Sequence, residues 1–165
     1  MWDDFEAAVR MVLMNVAPRT YVNVSDKENP KSLFVQFVGV EPDRNINDVE
    51  ADLAPRREGE DFSVERVALL EELGFEELPE NLAGLWQRNL SWPTPSSVVA
   101  EVAAAFVLRL RDIGGVPDPS RLQYRAWRNP EPVKPDAWWT PDPGENVVVF
   151  PELGITVQSP EAYGN

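Results

Sequence analysis

The chain has 165 residues, a net charge of −13, and neither histidine nor cysteine. This length fits one domain, and the missing side chains exclude disulfides, imidazole catalysis, thiol nucleophiles and the usual zinc ligands. The charge disfavours nucleic acid and anionic membranes as partners, because both attract clusters of Lys and Arg. The N-terminal residues lack the pattern of a signal peptide, and no apolar run has the length of a membrane span. We therefore expect a cytoplasmic protein with no catalytic residues, no cofactor and no bound metal.

The first half of the chain predicts one helix followed by three strands. Residues 3–16 place apolar side chains at helical spacing, and Asp3 and Glu6 have the spacing of a capping box. Alternating apolar and polar residues predict strands near 20–25, 32–40 and 46–53. Short links between consecutive strands favour an antiparallel meander.

The strand at 32–40 is apolar on both faces. Leu33 and Val35 point to one face, and Phe34 and Gln36 point to the other. Such a strand is either central in a covered sheet or faces a partner.

The second half predicts two helices and one or two further strands. Helices are expected at 63–73 and 95–113, and strands at 122–127 and, less clearly marked, 85–92. Thr94 is expected to cap the longer helix, Gly114 and Gly115 to end it, and Phe106 to lie buried on its apolar stripe. A long amphipathic helix followed by a strand suggests a helix packed on a sheet.

Composition changes after Asn129, since seven of the 16 prolines lie in the final 37 residues. Proline excludes regular helix and inner strand, yet Trp138, Trp139 and the run at 147–150 are too apolar for a disordered linker. We therefore expect a domain at 1–129 and a proline-rich arm at 130–165. The arm should dock on its own domain or on a second subunit, with 147–150 as a short edge strand.

Acidic residues are concentrated at 41–80, which hold 14 of the 28 acids and four basic residues. This stretch either forms a solvated surface or steers a basic partner. Asp43, Asn45 and Asn47 resemble the start of a calcium loop, but Asp48 stands where glycine is needed, and the final glutamate is missing. A turn leading into a strand explains the pattern better.

Three stretches resemble the TY-Chap family, actinobacterial proteins related to type III secretion (Tir-type) chaperones. They are SLFVQFVGV at 32–40, LLEELGFEELPEN at 69–81 and RLRDIGGVPDPSRLQYRAW at 109–127. The resemblance implies an α+β fold, with an antiparallel sheet packed on helices. It also implies a non-enzymatic role in holding a partner protein, often as a homodimer.

Two hypotheses about function follow. In the first, the protein is a chaperone-like module that binds a partner protein or secretion substrate through an apolar surface. The candidate partner-binding residues are Phe34, Gln36, Trp86, Trp92, Trp138 and Trp139. In the alternative, an immunity or antitoxin-like protein neutralises a basic partner through the acidic stretch at 41–80.

Overall fold

The computed structural model describes residues 1–39, 41, 48–91 and 93–158. The calcium-like pattern, the start of the predicted 46–53 strand, Trp92 and the last seven residues lie outside this part of the chain. The helices are α1 (Trp2–Asn15), α2 (Val64–Glu72) and α3 (Ser96–Val107), and α3 continues as a π-helical turn over Leu108–Ile113. The strands are β1 (Thr20–Asp26), β2 (Phe34–Val38), β3 (Asp48–Leu53), β4 (Glu76–Glu77), β5 (Trp86–Ser91), β6 (Leu122–Arg128) and β7 (Thr156–Val157).

The strands form one sheet in the order β4-β5-β3-β2-β1-β6-β7. Strands β1, β2 and β3 are the predicted meander, and β5 and β6 add to its two sides. All of these pairs are antiparallel, and only β7 runs parallel to its neighbour β6. The α+β prediction, with an antiparallel sheet packed on helices, is therefore confirmed.

Helices α1 and α3 pack against each other and cover one face of the sheet. Val24 of β1, Val35 of β2 and Tyr124 of β6 lie side by side on this covered face and are buried. Phe106 of α3 is 3% exposed, as its place on the apolar stripe predicts. Burial of such a side chain stabilises the fold by roughly 1.5–3 kcal/mol.

Both predicted N-terminal caps differ from the structure. Helix α1 begins one residue early, because the ammonium group of Met1 bonds Asp4 Oδ2 at 2.8 Å, and Asp3 with Glu6 forms no capping box. At α3, Pro95 is the capping residue, and the Thr94 hydroxyl donates to the Ser91 carbonyl at 2.9 Å. The predicted stop is found, since the π-helical turn ends at Gly114 and Gly115 follows with φ of 75°.

Residues 129–158 follow the outer edge of the sheet along β6. Val148 N donates to the Ala126 carbonyl at 2.8 Å, and Leu153 is buried in the core beside α1. The prediction of an edge strand at 147–150 is wrong. Two residues after Val148, the backbone donor Phe150 N bonds the Tyr124 hydroxyl instead of a backbone carbonyl of β6, so the strand pairing does not continue. The edge strand is instead β7, at Thr156–Val157.

Candidate functional site

The sheet face turned away from α1 and α3 is only partly covered. Its side chains include Tyr21, Asn23, Phe34, Gln36, Val38, Glu50, Asp52, Gln87, Arg125 and Trp127, and we call the surface formed by these ten residues the open face. Each of them is half-buried except Asp52, which is 2% exposed. The open face arises from strand periodicity, since its residues alternate with the buried residues of the same strands.

Amides and carboxylates occupy the middle of the open face. Gln87 Nε2 donates to Glu50 Oε1 at 2.8 Å and to Asp52 Oδ1 at 3.1 Å, and Asn23 Nδ2 donates to Gln36 Oε1 at 3.3 Å. Burial, together with the neighbouring Glu50, raises the pKa of the Asp52 carboxyl to about 7. The half-buried amides of Asn23, Gln36 and Gln87 keep donors or acceptors beyond these bonds, and such groups can bond the peptide groups of a bound chain.

One end of the open face is aromatic. Trp127 of β6 stacks on Tyr21 of β1 with ring centroids 5.1 Å apart, and the Arg125 guanidinium lies 5.1 Å from the Trp127 ring. The Tyr21 hydroxyl donates to Glu41 Oε1 at 2.5 Å. Rings fixed in this way offer flat apolar surface beside polar groups, the combination common in protein-binding sites.

At the other end, where β2 begins and β3 ends, Arg56 lies between three surface depressions. The depression next to the open face has a volume of about 430 Å³. We call it the Arg56 depression, and its lining residues are Lys31, Ser32, Phe34, Pro55, Arg56, Arg57, Ala83 and Leu85. Phe34 belongs to both surfaces, so the Arg56 depression continues the open face.

Arg56 is held by an acid and by two aromatic rings. Its guanidinium forms a two-bond ion pair with the Glu77 carboxylate, Nη2 lying 3.1 Å from Oε1. The same group lies 4.7 Å from the centre of the Phe62 ring and 5.6 Å from that of Trp86, and these two rings stack on each other. Arginine suits this arrangement because its planar head both pairs with a carboxylate and packs on rings.

The loop that carries Arg56 and Arg57 is fixed from inside the domain by Arg109. Arg109 is 0% exposed, and it donates to the Ala54 and Pro55 carbonyls at 2.9 and 2.8 Å. Burial lowers the pKa of this guanidinium, while a carboxylate partner opposes that effect. Sequence patterns did not single out these arginines, although an arginine at 109 on the buried face of an apolar helix indicates an internal partner.

The candidate residues named from the sequence do not form one cluster. Phe34 and Gln36 lie on the open face, and Trp86, which is 2% exposed, lies under Arg56. Trp92 is outside the described residues. Trp138 and Trp139 are 91% and 39% exposed, and they lie on a separate loop beside β6.

That loop is ordered by hydrogen bonds at its base. The Glu131 carboxylate accepts from Trp139 Nε1 at 2.9 Å and from Asp142 N at 3.0 Å, and the Arg128 guanidinium bonds Asp142. Arg128 ends β6 opposite Thr20, so the loop is anchored at the far corner of the sheet from the Arg56 depression.

Within the described ranges, no group of three or more acidic residues could hold a metal ion. In the same part of the chain, no helix combines the length and the apolar character that a membrane crossing requires.

Residues 1–128 match the profile of TY-Chap3, described as "T3SS (YopN, CesT) and YbjN peptide-binding chaperone 3". No curated protein and no solved structure matched the chain. The matched region contains the open face and the Arg56 depression, and it ends with β6, so residues 129–165 lie outside it. Because the match covers 128 of the 165 residues, the chain belongs to the TY-Chap3 family of peptide-binding chaperone domains.

Proposed function

We propose that this domain holds an extended segment of a partner protein against the open face, without catalysing a reaction. The observation that carries the proposal is the sheet face that α1 and α3 leave uncovered, together with membership of a peptide-binding family. The absence of histidine and cysteine from the sequence supports a binding role over a catalytic one.

The chemistry of the open face suits an extended peptide. The amides of Asn23, Gln36 and Gln87 offer donors and acceptors in one row across β1, β2 and β5. Apolar contacts come from the Trp127–Tyr21 stack at one end and from Phe34 at the other. Polar groups of this kind recognise the backbone, and apolar contacts select side chains.

We assign Phe34 and Gln36 as partner-binding residues of the open face, the role that the sequence predicts for them. Trp86 contributes as the buried support of Arg56, and Trp138 and Trp139 belong to a second surface whose role stays a prediction. A cytoplasmic location and a homodimer also remain predictions.

The alternative, an immunity-like protein that neutralises a basic partner, rests on the acidic stretch at 41–80. Part of that negative charge is neutralised by ion pairs within the chain, because Glu60 pairs with Arg57 and Arg109, and the exposed Glu77 pairs with Arg56. This observation favours the peptide-holding role.

The test is a binding assay on the folded domain. An array of 15-residue peptides of varied sequence identifies binders, and calorimetry then measures their affinity for the wild type and for Gln36→Arg, which places a long charged side chain on the open face. We expect Gln36→Arg to weaken binding at least fivefold. Met11→Arg, on the exposed side of α1, is the matched control and should leave affinity unchanged. If no peptide binds, or if both variants bind as the wild type does, the proposal is wrong.

A further inference from the structure

We propose that the Arg56 depression binds an acidic–apolar segment of the partner, in which a glutamate or aspartate adjoins a large aliphatic or aromatic residue. This inference rests on the proposed function and assigns the chemistry of the segment.

The Arg56 depression differs in charge from the rest of the chain. The chain carries a net charge of −13, yet among the residues that the structure describes the Arg56 depression is lined by Lys31, Arg56 and Arg57 and by no carboxylate. Three cations around one depression in so acidic a protein create a local positive field that attracts a carboxylate.

The positive charge of the Arg56 depression is only partly neutralised by acidic residues of the chain. Arg56 pairs with Glu77, and Arg57 pairs with Glu60. Lys31 is exposed and forms no ion pair with any residue in the described part of the chain. A carboxylate on the ligand would therefore meet Lys31, which has no acidic partner among the described residues, together with the paired cations Arg56 and Arg57 in the same depression.

Part of the lining of the Arg56 depression is apolar. Phe34, Pro55 and Leu85 contribute to it, and the volume of about 430 Å³ falls within the range of pockets that bind small organic groups. The ligand must therefore combine an apolar group with an acid, since either group alone would use only half of the lining.

The surroundings of the Arg56 depression suit a passing chain rather than a chain end. The Arg56 depression shares Pro55, Arg56 and Ala83 with a neighbouring depression of about 400 Å³. Arg56 also lines a third depression, together with Trp86. A segment of several residues can therefore continue from one depression to the next.

The loop that carries Arg56 and Arg57, which we call the basic loop, is preorganised for binding. Ala54 N donates to the Phe34 carbonyl at 2.9 Å, and Arg109 holds the carbonyls of Ala54 and Pro55. The basic loop is thus fixed on the end of the sheet before the ligand arrives. Because the loop is already ordered, the entropic cost of binding is lower.

The test uses three acetylated and amidated peptides: GSFELESG, GSFQLQSG and GSFKLKSG. They differ only at two positions, which hold negative, neutral or positive side chains. Affinities for the full chain are measured by calorimetry at low and physiological salt. We expect the glutamate peptide to bind about five- to tenfold more tightly than the glutamine peptide, with the difference shrinking at higher salt. The lysine peptide should bind most weakly.

Two charge-reversal variants localise the effect. Lys31→Glu should remove the preference for the glutamate peptide, and Lys134→Glu, an equal charge change on an exposed residue of the arm, should leave it intact. Both side chains are exposed, so neither change is expected to disturb folding.

Each other outcome contradicts the inference. Equal binding of the three peptides would overturn it and leave the proposed function standing, whereas failure of every peptide, including those of the array, would overturn both. If the lysine peptide bound most tightly, the inference would be wrong, and the acidic stretch at 41–80 would be the site that selects the partner. If the chain self-associates, and Lys31→Glu abolishes the association while no peptide binds, the occupant is a second copy and the inference is wrong.

Discussion

Arg109, fully buried in the π-helical turn after α3, forms a two-bond ion pair with Glu60. Nη1 lies 2.8 Å from Oε2, and Nη2 lies 2.8 Å from Oε1. Glu60 is 49 residues away in sequence and its side chain is 5% exposed, so the pair ties the inside of the domain to the loop that carries Arg56 and Arg57. The basic loop therefore depends on a contact with the core.

Breaking this pair should destabilise the domain strongly. Arg109→Ala removes two of the donors to the buried Glu60 carboxylate and the donors to the Ala54 and Pro55 carbonyls, and among the described residues only Arg57 still bonds Glu60. We therefore expect a loss of about 3–5 kcal/mol in the free energy of unfolding. Urea denaturation measures it. Arg10→Ala, which removes an exposed pair with Glu6, is the control and should cost less than about 0.5 kcal/mol. A loss below about 1 kcal/mol for Arg109→Ala would contradict this account of the loop.

Phe106 supports the contact between α3 and the sheet. Phe106→Ala should cost about 3–5 kcal/mol, because the residue is 3% exposed and its removal leaves a cavity. Leu69→Ala on α2, where the side chain is 46% exposed, should change stability by less than about 0.5 kcal/mol. If Phe106→Ala and Leu69→Ala lowered the free energy of unfolding by similar amounts, the buried face of α3 would be assigned wrongly.

The acid pair on β3 predicts a dependence of stability on pH. The pKa of Asp52 is raised from its ordinary value of 3.8 to about 7, so between about pH 4 and 7 the folded state binds a proton that the unfolded state has released. The free energy of unfolding contributed by this group therefore falls as the pH rises through that window.

Asp52→Asn should remove this contribution, since the amide oxygen still accepts from Gln87 and carries no charge. The variant should be more stable than the wild type at pH 8 and lose the advantage at pH 4. Thermal unfolding at both values, with the exposed Asp136→Asn as control, measures the difference. An unchanged difference between wild type and Asp52→Asn across this range would show that Asp52 titrates normally.

The proline-rich arm is expected to stay docked through Leu153, which is 3% exposed and adjoins α1. Leu153→Ala should cost about 2 kcal/mol or more and speed proteolysis after residue 129. Val149→Ala, where the side chain is 54% exposed, should do neither. If Leu153→Ala leaves both stability and proteolysis unchanged, the arm does not stabilise the domain. Whether the arm also acts as a separate unit beyond residue 129 stays a prediction.

Local patterns in the sequence predicted most of the sheet and helices. Alternation placed Val35 and Phe37 in the core and Phe34 and Gln36 on the opposite face, and helical spacing placed Phe106. These signals are strong because burial on one face imposes a fixed period on the side chains.

Such local patterns cannot predict contacts between residues that are far apart in the sequence. Nothing local indicated that Arg109 would bond Glu60, or that Phe150 N would bond the Tyr124 hydroxyl and so displace the expected edge strand. The Arg56 depression was missed for the same reason, since its residues come from three separate stretches of the chain. The family resemblance indicated a binding role, but only the folded chain brings these residues together.

The most direct test of the central claim is to map a bound peptide by NMR. Amide chemical shifts of the full chain are followed while the glutamate peptide is added to saturation. We expect the largest changes on the open face and at the Arg56 depression, at Gln36, Gln87, Ser32 and Arg57. Largest changes on the exposed side of α1, at Met11 and Met14, or on the Trp138–Trp139 loop would contradict the account.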